Sequence, residues 1–138
     1  MVSGEVKSRA LDSEYYCDFP RIDDDLVGHK NRYTYAARFR VQDSPVFDGE
    51  MKYDNETGEI LVHKLGDNCE SGETVFARKD NATSEDDGYM ICFVSNNGTQ
   101  TSECRILDAK NFVAQPVARI EIPQRAPLGF HASWVADA

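Results

Sequence analysis

The sequence lacks a long apolar segment, since its longest uninterrupted apolar run covers only residues 90–94 (MICFV). A helix that crosses a membrane needs about 20 such residues, so no span of that kind is expected. The amino-terminal stretch, MVSGEVKSRAL, also lacks the apolar core of a secretory signal. These absences predict an intracellular, cytoplasmic protein, with targeting to an organelle left open.

Several common motifs of chemistry are also missing. No two of the four cysteines form a C-x-x-C pair, which argues against a zinc knuckle or a thioredoxin-type site. We find no glycine-rich phosphate loop and no nucleophile elbow around a serine. The formal net charge of -9 would repel phosphates, so nucleic acid is not an expected partner.

The pattern that is present is entirely β. Short segments alternate apolar and polar residues between turn residues, which is typical of strands. Asn96-Asn97-Gly98-Thr99 is a strong hairpin signal. No segment predicts a helix of more than one turn. The predicted strands cover residues 33–39, 59–65, 88–94, 104–107 and 117–122.

The strands belong to an internal repeat. A strand pattern, a short link and a segment centred on phenylalanine occur three times, and the phenylalanines are Phe19, Phe76 and Phe130. We expect these three residues to occupy equivalent inner strands. Multi-strand repeats of about 40–50 residues are typical of propeller blades. Because propellers close with about 4–8 blades, the two to three blades predicted here require further chain. A β-sandwich remains the alternative on the repeat alone.

Four blocks carry a resemblance to a known family. The segment 122–134 (IPQRAPLGFHASW) resembles the carboxy-terminal signature of the carotenoid-cleavage oxygenases, in which a strand, P-x-R-x-P and G-F-H precede the chain end. Residues 17–23 (CDFPRID), 72–78 (GETVFAR) and 84–89 (SEDDGY) are similar to further blocks of that family. The blocks follow the family's order and, from the first to the last, span residues 17–134 of the chain.

The resemblance implies a seven-bladed β-propeller capped by a dome, with residues 1–138 forming a partial propeller domain of its last two to three blades. It implies an Fe(II) ion on the propeller axis, held by four histidines and supported by second-shell glutamates. It also implies an enzyme that splits a carbon–carbon double bond of a carotenoid or apocarotenoid with O2 into two carbonyl products. We expect the isolated chain to be inactive without the missing amino-terminal blades.

The resemblance carries three residues of this chain into that site. His131 lies in the G-F-H block and is predicted to be a metal ligand, since imidazole suits iron. Glu85 and Asp18 match second-shell positions, although most family members carry glutamate where Asp18 stands. His29 and His63 match no ligand block and are interpreted as structural or surface residues. The other three ligands are absent from this chain, and no catalytic residue is assigned.

Two questions stay open at this level. The aromatic side chains of Phe19, Phe76, Phe130 and Trp134 either line a tunnel for a polyene or pack between blades. The same motifs occur in stilbene-cleaving dioxygenases, so a stilbene is an alternative substrate. A third possibility is a non-catalytic propeller fragment that acts as a binding or interaction module.

Overall fold

The computed structural model describes residues 4–40 and 46–135, whose nine strands form one continuous antiparallel sheet that divides into two four-stranded blades and a short joining strand. Neighbouring strands of the first blade follow one another along the chain, and so do those of the second. A short strand, β5 (Cys69–Ser71), pairs with β3 and β7 and joins the blades. The first blade contains β1 (Tyr16–Arg21), β2 (Tyr33–Arg40), β3 (Val46–Asp54) and β4 (Ile60–Lys64); the second contains β6 (Val75–Arg78), β7 (Gly88–Asn96), β8 (Thr101–Asp108) and β9 (Ala118–Ile122).

The all-β prediction is confirmed. Within the described ranges, the helical structure consists of one 3-10 turn, Asp24–Leu26. No helix among these residues is long and apolar enough to cross a membrane. The hairpin signal is also confirmed, because β7 and β8 pair up to Asn96 and Thr101. The side chain of Asn96 accepts hydrogen bonds from the N–H groups of Gly98 and Thr99 and so closes the turn.

The repeat holds for two blades and fails for the third copy. Phe19 lies in β1 and Phe76 in β6, which are the first strands of their blades. Phe130 lies outside any strand, so the expectation of three equivalent strands is wrong. Pro123 and Pro127 explain the difference, since a proline cannot donate to a strand ladder. The described residues therefore form two blades and a terminal segment.

The core lies between the two blades. Tyr35 of β2 stacks on Phe76 of β6 with ring centroids 5.4 Å apart, and Phe112 packs against Tyr35 at 6.0 Å. Met90 and Leu107, from the two long strands of the second blade, complete this buried cluster. Apolar burial between the sheets therefore fixes how the blades sit against each other.

A buried carboxyl group lies within this inter-blade region. Glu50 of β3 is fully buried, and Ser71 donates a hydrogen bond of 3.1 Å to its Oε1 atom. Burial raises the pKa of Glu50 to about 8, because the charged form loses its hydration, and the bonds from Ser71 and Cys92 oppose this only in part. Glu50 is therefore protonated at neutral pH.

This protonation predicts a pH dependence of stability. The pKa of Glu50 is about 8 in the folded state and about 4.5 when the side chain is unconstrained, so only the folded state holds the proton between these values. We expect the Glu50 contribution to the free energy of unfolding to fall by about 1 kcal/mol per pH unit from pH 5 to 8. Urea unfolding should show that Glu50→Gln, which cannot ionise, removes this part of the slope. An identical slope in the variant would contradict the assignment.

Candidate metal centre

The segment that carries His131 returns across the second blade after β9. We call residues 123–135 the return segment. Both main-chain polar groups of Ala126 in this segment are hydrogen-bonded. Ser95 Oγ donates to the Ala126 carbonyl at 3.0 Å, and the Ala126 N–H donates to Ser102 Oγ at 2.9 Å. Arg125 donates to Glu70 of β5 at 3.1 Å. These contacts lead the chain from the last strand of the blade back towards its first.

A glycine pair lets the return segment pass close to the start of β6. A Cβ atom placed on Gly72 would lie 2.7 Å from the carbonyl oxygen of Gly129 and 3.0 Å from its nitrogen. Such contacts with rigid backbone are too short for any other residue. Glycine at position 72 therefore permits this crossing, and the crossing delivers the next residues of the segment to the carboxylate of Glu73.

The crossing can be tested with two alanine variants. Gly72→Ala should push the return segment away and speed the exchange of the Ala132 amide hydrogen, whose bond to Glu73 would be lost. We expect about tenfold faster exchange or more, measured by NMR at that amide. Gly129→Ala is the matched control, because a Cβ there meets nothing within 4 Å. Equal exchange rates in the two variants would contradict the crossing.

Glu73 is the carboxylate that lies beside His131. Its side chain is only 5% exposed, and its Oε2 atom accepts a 2.6 Å hydrogen bond from the N–H of Ala132. The same oxygen lies 3.5 Å from Nδ1 of His131. The imidazole itself is 86% exposed. Because Nδ1 faces the carboxylate, the other ring nitrogen, Nε2, is left available to bind a ligand.

The first blade also reaches the histidine. The ring of Phe19 meets His131 edge-on with centroids 5.9 Å apart and meets Phe130 at 6.3 Å. Phe19 has a φ of +54°, which is unusual for a non-glycine residue, and it lies where the register of β1 shifts. Asp18 lies next to it, but its Oδ1 atom accepts a hydrogen bond from the N–H of Phe19 at 2.7 Å. Asp18 is thus near the histidine in the chain fold, with its carboxylate engaged locally.

Glu85 is placed differently from the sequence-based expectation. Its carboxylate accepts hydrogen bonds from the main-chain N–H groups of Arg32 and Tyr33, at 2.7–2.9 Å, where β2 begins. These bonds tie the loop before β7 to the first blade. The second-shell role of Glu85 stays a prediction, whereas the carboxylate that the fold brings next to His131 is Glu73.

The remaining residues divide between core and surface. His63 is buried against Phe112 at 6.5 Å, and burial lowers its pKa, so it is a neutral structural residue. His29 is exposed in the loop after the 3-10 turn. Phe76 belongs to the inter-blade core, which confirms the packing alternative for that residue. Phe130 and Trp134 are largely exposed.

The donor set at His131 consists of one imidazole with a carboxylate beside it. Within residues 4–40 and 46–135, no group of three histidine, cysteine or acidic side chains is arranged to hold an ion. One exposed imidazole backed by a buried carboxylate is, however, the arrangement that metal ligands use, since the carboxylate fixes the ring and its tautomer. The residues present therefore fit an iron ion to which this chain contributes one of several ligands. His131 would be that ligand.

Comparison with known proteins identifies the relatives of this chain. The family model described as "Retinal pigment epithelial membrane protein" (RPE65) matches residues 1–136. Carotenoid 9,10(9',10')-cleavage dioxygenase 1 of Arabidopsis thaliana is 34% identical over 99% of this chain and 27% of its own length. Apocarotenoid-15,15'-oxygenase of Synechocystis is 29% identical over 86% of this chain and 24% of its own length. The chain thus spans about a quarter of the length of the relatives it matches.

The solved structures agree with the sequence comparison. Cobalt-substituted Synechocystis apocarotenoid oxygenase (ACO) superposes with a TM-score of 0.81 and 26% identity, over 88% of this chain and 26% of that one. An ACO/RPE65 chimera gives the same TM-score with 27% identity. These neighbours are β-propeller enzymes, which confirms the prediction of a partial propeller. With the family model matching nearly every residue, the chain belongs to the RPE65 and carotenoid oxygenase family.

Proposed function

We propose that this chain supplies the last two blades of a nonheme Fe(II)-dependent dioxygenase that cleaves a carbon–carbon double bond of a carotenoid or apocarotenoid. The products are two carbonyl compounds, one from each side of the broken bond. The observation that carries the proposal is the exposed imidazole of His131, held beside the buried carboxylate of Glu73 where β1 and β6 of the two blades approach each other.

The residues of this chain have distinct tasks in such a site. His131 offers Nε2 to the metal, and Glu73 holds the ring by its other nitrogen. Phe19 meets the imidazole edge-on and places an apolar ring beside it. The bound iron would supply the activation of O2, and the tasks of this chain are to contribute one ligand and to orient it.

The substrate class is inferred from the relatives. They include a carotenoid 9,10(9',10')-cleavage dioxygenase and an apocarotenoid-15,15'-oxygenase, whose names give a carotenoid and an apocarotenoid as substrates. Both match most of this chain, which supports a carotenoid or apocarotenoid over a stilbene. The chain spans about a quarter of each, so most of the surface that selects the substrate lies outside it.

A graft tests the proposal. We define the graft enzyme as Synechocystis apocarotenoid-15,15'-oxygenase in which the matching segment is replaced by residues 1–138 of this chain. We expect it to load iron and to convert an apocarotenoid into two carbonyl fragments in the presence of O2, as measured by mass spectrometry. A stilbene is the control compound, since the surface that selects the substrate comes mostly from the Synechocystis part and we expect it to stay intact.

The outcomes separate the alternatives. Iron loading together with cleavage of the apocarotenoid supports the proposal that this chain completes the iron site of such a dioxygenase. A folded graft enzyme that contains iron and leaves both compounds intact would contradict the proposed function and favour a non-catalytic module.

A further inference from the structure

Arg21, the last residue of β1, is joined to both groups that hold His131. Its Nη2 atom lies 2.6 Å from Oε1 of Glu73 and also donates to the carbonyl oxygen of Ala132. We propose that Arg21 is a positioning residue, which clamps the Glu73 carboxylate and the main chain after His131 into one rigid unit. The inference rests on the proposed function, since its purpose is to fix a metal ligand.

The clamp joins three separate parts of the chain. Arg21 comes from the first blade, Glu73 from the link before β6, and Ala132 from the return segment. The N–H of Ala132 donates to Glu73 while its C=O accepts from Arg21, so both main-chain polar groups of this residue are bound. The residue that follows His131 therefore cannot move without breaking a charged hydrogen bond.

The burial of Glu73 also explains the need for Arg21. The carboxylate of Glu73 is 5% exposed, so hydrogen-bond donors of the protein must replace the water that it has lost. Among the described residues, Arg21 is the basic side chain that forms an ion pair with Glu73. Arginine suits the task because its planar fork can bond to two acceptors at fixed angles, whereas lysine presents a single mobile ammonium group.

The local sequence explains how Arg21 is aimed. The pairing of β1 with β2 shifts between Asp18 and Arg21, which marks a bulge. Phe19 with its positive φ and Pro20 without an N–H occupy this bulge, and such irregularities turn the following side chains to a new direction. In the F-P-R sequence, Phe19 and Pro20 thus form the bend, and Arg21 is the residue whose side chain the bend orients.

The first test reads the clamp without any metal. In the 138-residue chain, Arg21→Met should speed the exchange of the Ala132 amide hydrogen by about tenfold or more, because a charged hydrogen-bond network is lost. Arg21→Lys should give an intermediate rate and guards against a general loss of folding. Arg78→Met is the matched control: Arg78 also links two parts of the chain through a pair with Asp23, and its side chain is 35% exposed against 26% for Arg21.

The second test reads the ligand. In the graft enzyme, Arg21→Met should weaken binding of Co(II) about 10–100-fold and alter the cobalt absorption bands, as expected when the support of a ligand histidine is lost. Glu73→Gln should act similarly. The double variant should bind no more weakly than Glu73→Gln alone, since Arg21 acts through Glu73.

Each result bears on a different claim. An unchanged exchange rate at the Ala132 amide in Arg21→Met would overturn the clamp, whatever the affinity for cobalt. Faster exchange with unchanged cobalt affinity and spectrum would overturn the positioning role. If His131→Ala also left cobalt binding unchanged, the proposed function itself would fail. The His131 variant therefore distinguishes a failure of the proposed function from a failure of the positioning role of Arg21. The inference is supported if Arg21→Met gives faster exchange at Ala132 and weaker cobalt binding, and if the double variant binds cobalt no more weakly than Glu73→Gln alone.

Discussion

In the graft enzyme, His131→Ala should reduce the iron content to background and abolish turnover together. A ligand set that loses one imidazole no longer has the number and geometry of donors that hold the ion. The truncation removes a side chain that is 86% exposed and not part of any core cluster, so the fold should survive. Elemental analysis of the purified protein and product analysis in the same samples give the two readouts.

His29→Ala is the matched control for this experiment. His29 is also exposed but lies in the loop after the 3-10 turn, so its removal should leave both iron content and turnover at the level of the parent. Full iron occupancy in His131→Ala would contradict the assignment of His131 as a ligand. Loss of iron in both variants would point to a general instability of the graft enzyme instead.

The largest effect on stability is expected at a buried ion pair between the blades. Lys52 of β3 donates to Asp86 at 2.8 Å and to the carbonyl oxygen of Ala109 at 2.7 Å, and its ammonium lies 4.2 Å from the centre of the Tyr33 ring. Burial opposes ionisation of Asp86, but the bonds from Lys52 and Ser84 outweigh it and lower the pKa of Asp86. Asp86 is therefore ionised at neutral pH.

Asp86→Ala should lower the free energy of unfolding by about 3–5 kcal/mol, because it leaves a buried ammonium without its counter-charge. Urea unfolding of the 138-residue chain measures the change. Replacing both partners, Lys52→Met with Asp86→Leu, should recover most of the loss, since no unpaired charge remains. The control is the exposed pair of Lys30 and Glu56, where Glu56→Ala should cost less than about 1 kcal/mol. Similar losses of unfolding free energy in Asp86→Ala and Glu56→Ala would contradict the claim that the Lys52–Asp86 pair is buried and charged.

Most strands and the hairpin could be predicted from the sequence because their signals are local, whereas β3 and β5 were not predicted. The alternation in β7 places Met90, Cys92 and Val94 on the buried side, and the Asn-Asn-Gly-Thr turn closes the hairpin with β8. Such patterns depend on a few neighbouring residues, so no knowledge of the rest of the fold is required.

The partner of His131 was harder to predict because it depends on the path of the return segment. Glu85 and Glu73 both stand in acidic, turn-like contexts, and the sequence gives no direct measure of which one the terminal segment approaches. The deciding feature is Gly72, whose missing side chain makes room for Gly129. A glycine directly before an acidic residue and a strand was the available signal, and it indicates a close backbone approach.

The third copy of the repeat failed for a related reason. The spacing of Phe130 matches that of Phe19, but a match in spacing does not supply the hydrogen-bond partners of a strand. Prolines on either side of residues 124–126 remove backbone donors, and Ala126 bonds to side chains of the second blade instead. Tertiary contacts thus decided the conformation of this segment.

The most direct test of the account is the position of the metal. Crystals of the graft enzyme loaded with cobalt should give one strong anomalous peak at roughly 2 Å from Nε2 of His131, the length of a metal–imidazole bond. Glu73 should lie on the opposite side of the ring, towards Nδ1. A fully occupied metal peak that makes no bond to His131 would contradict the account.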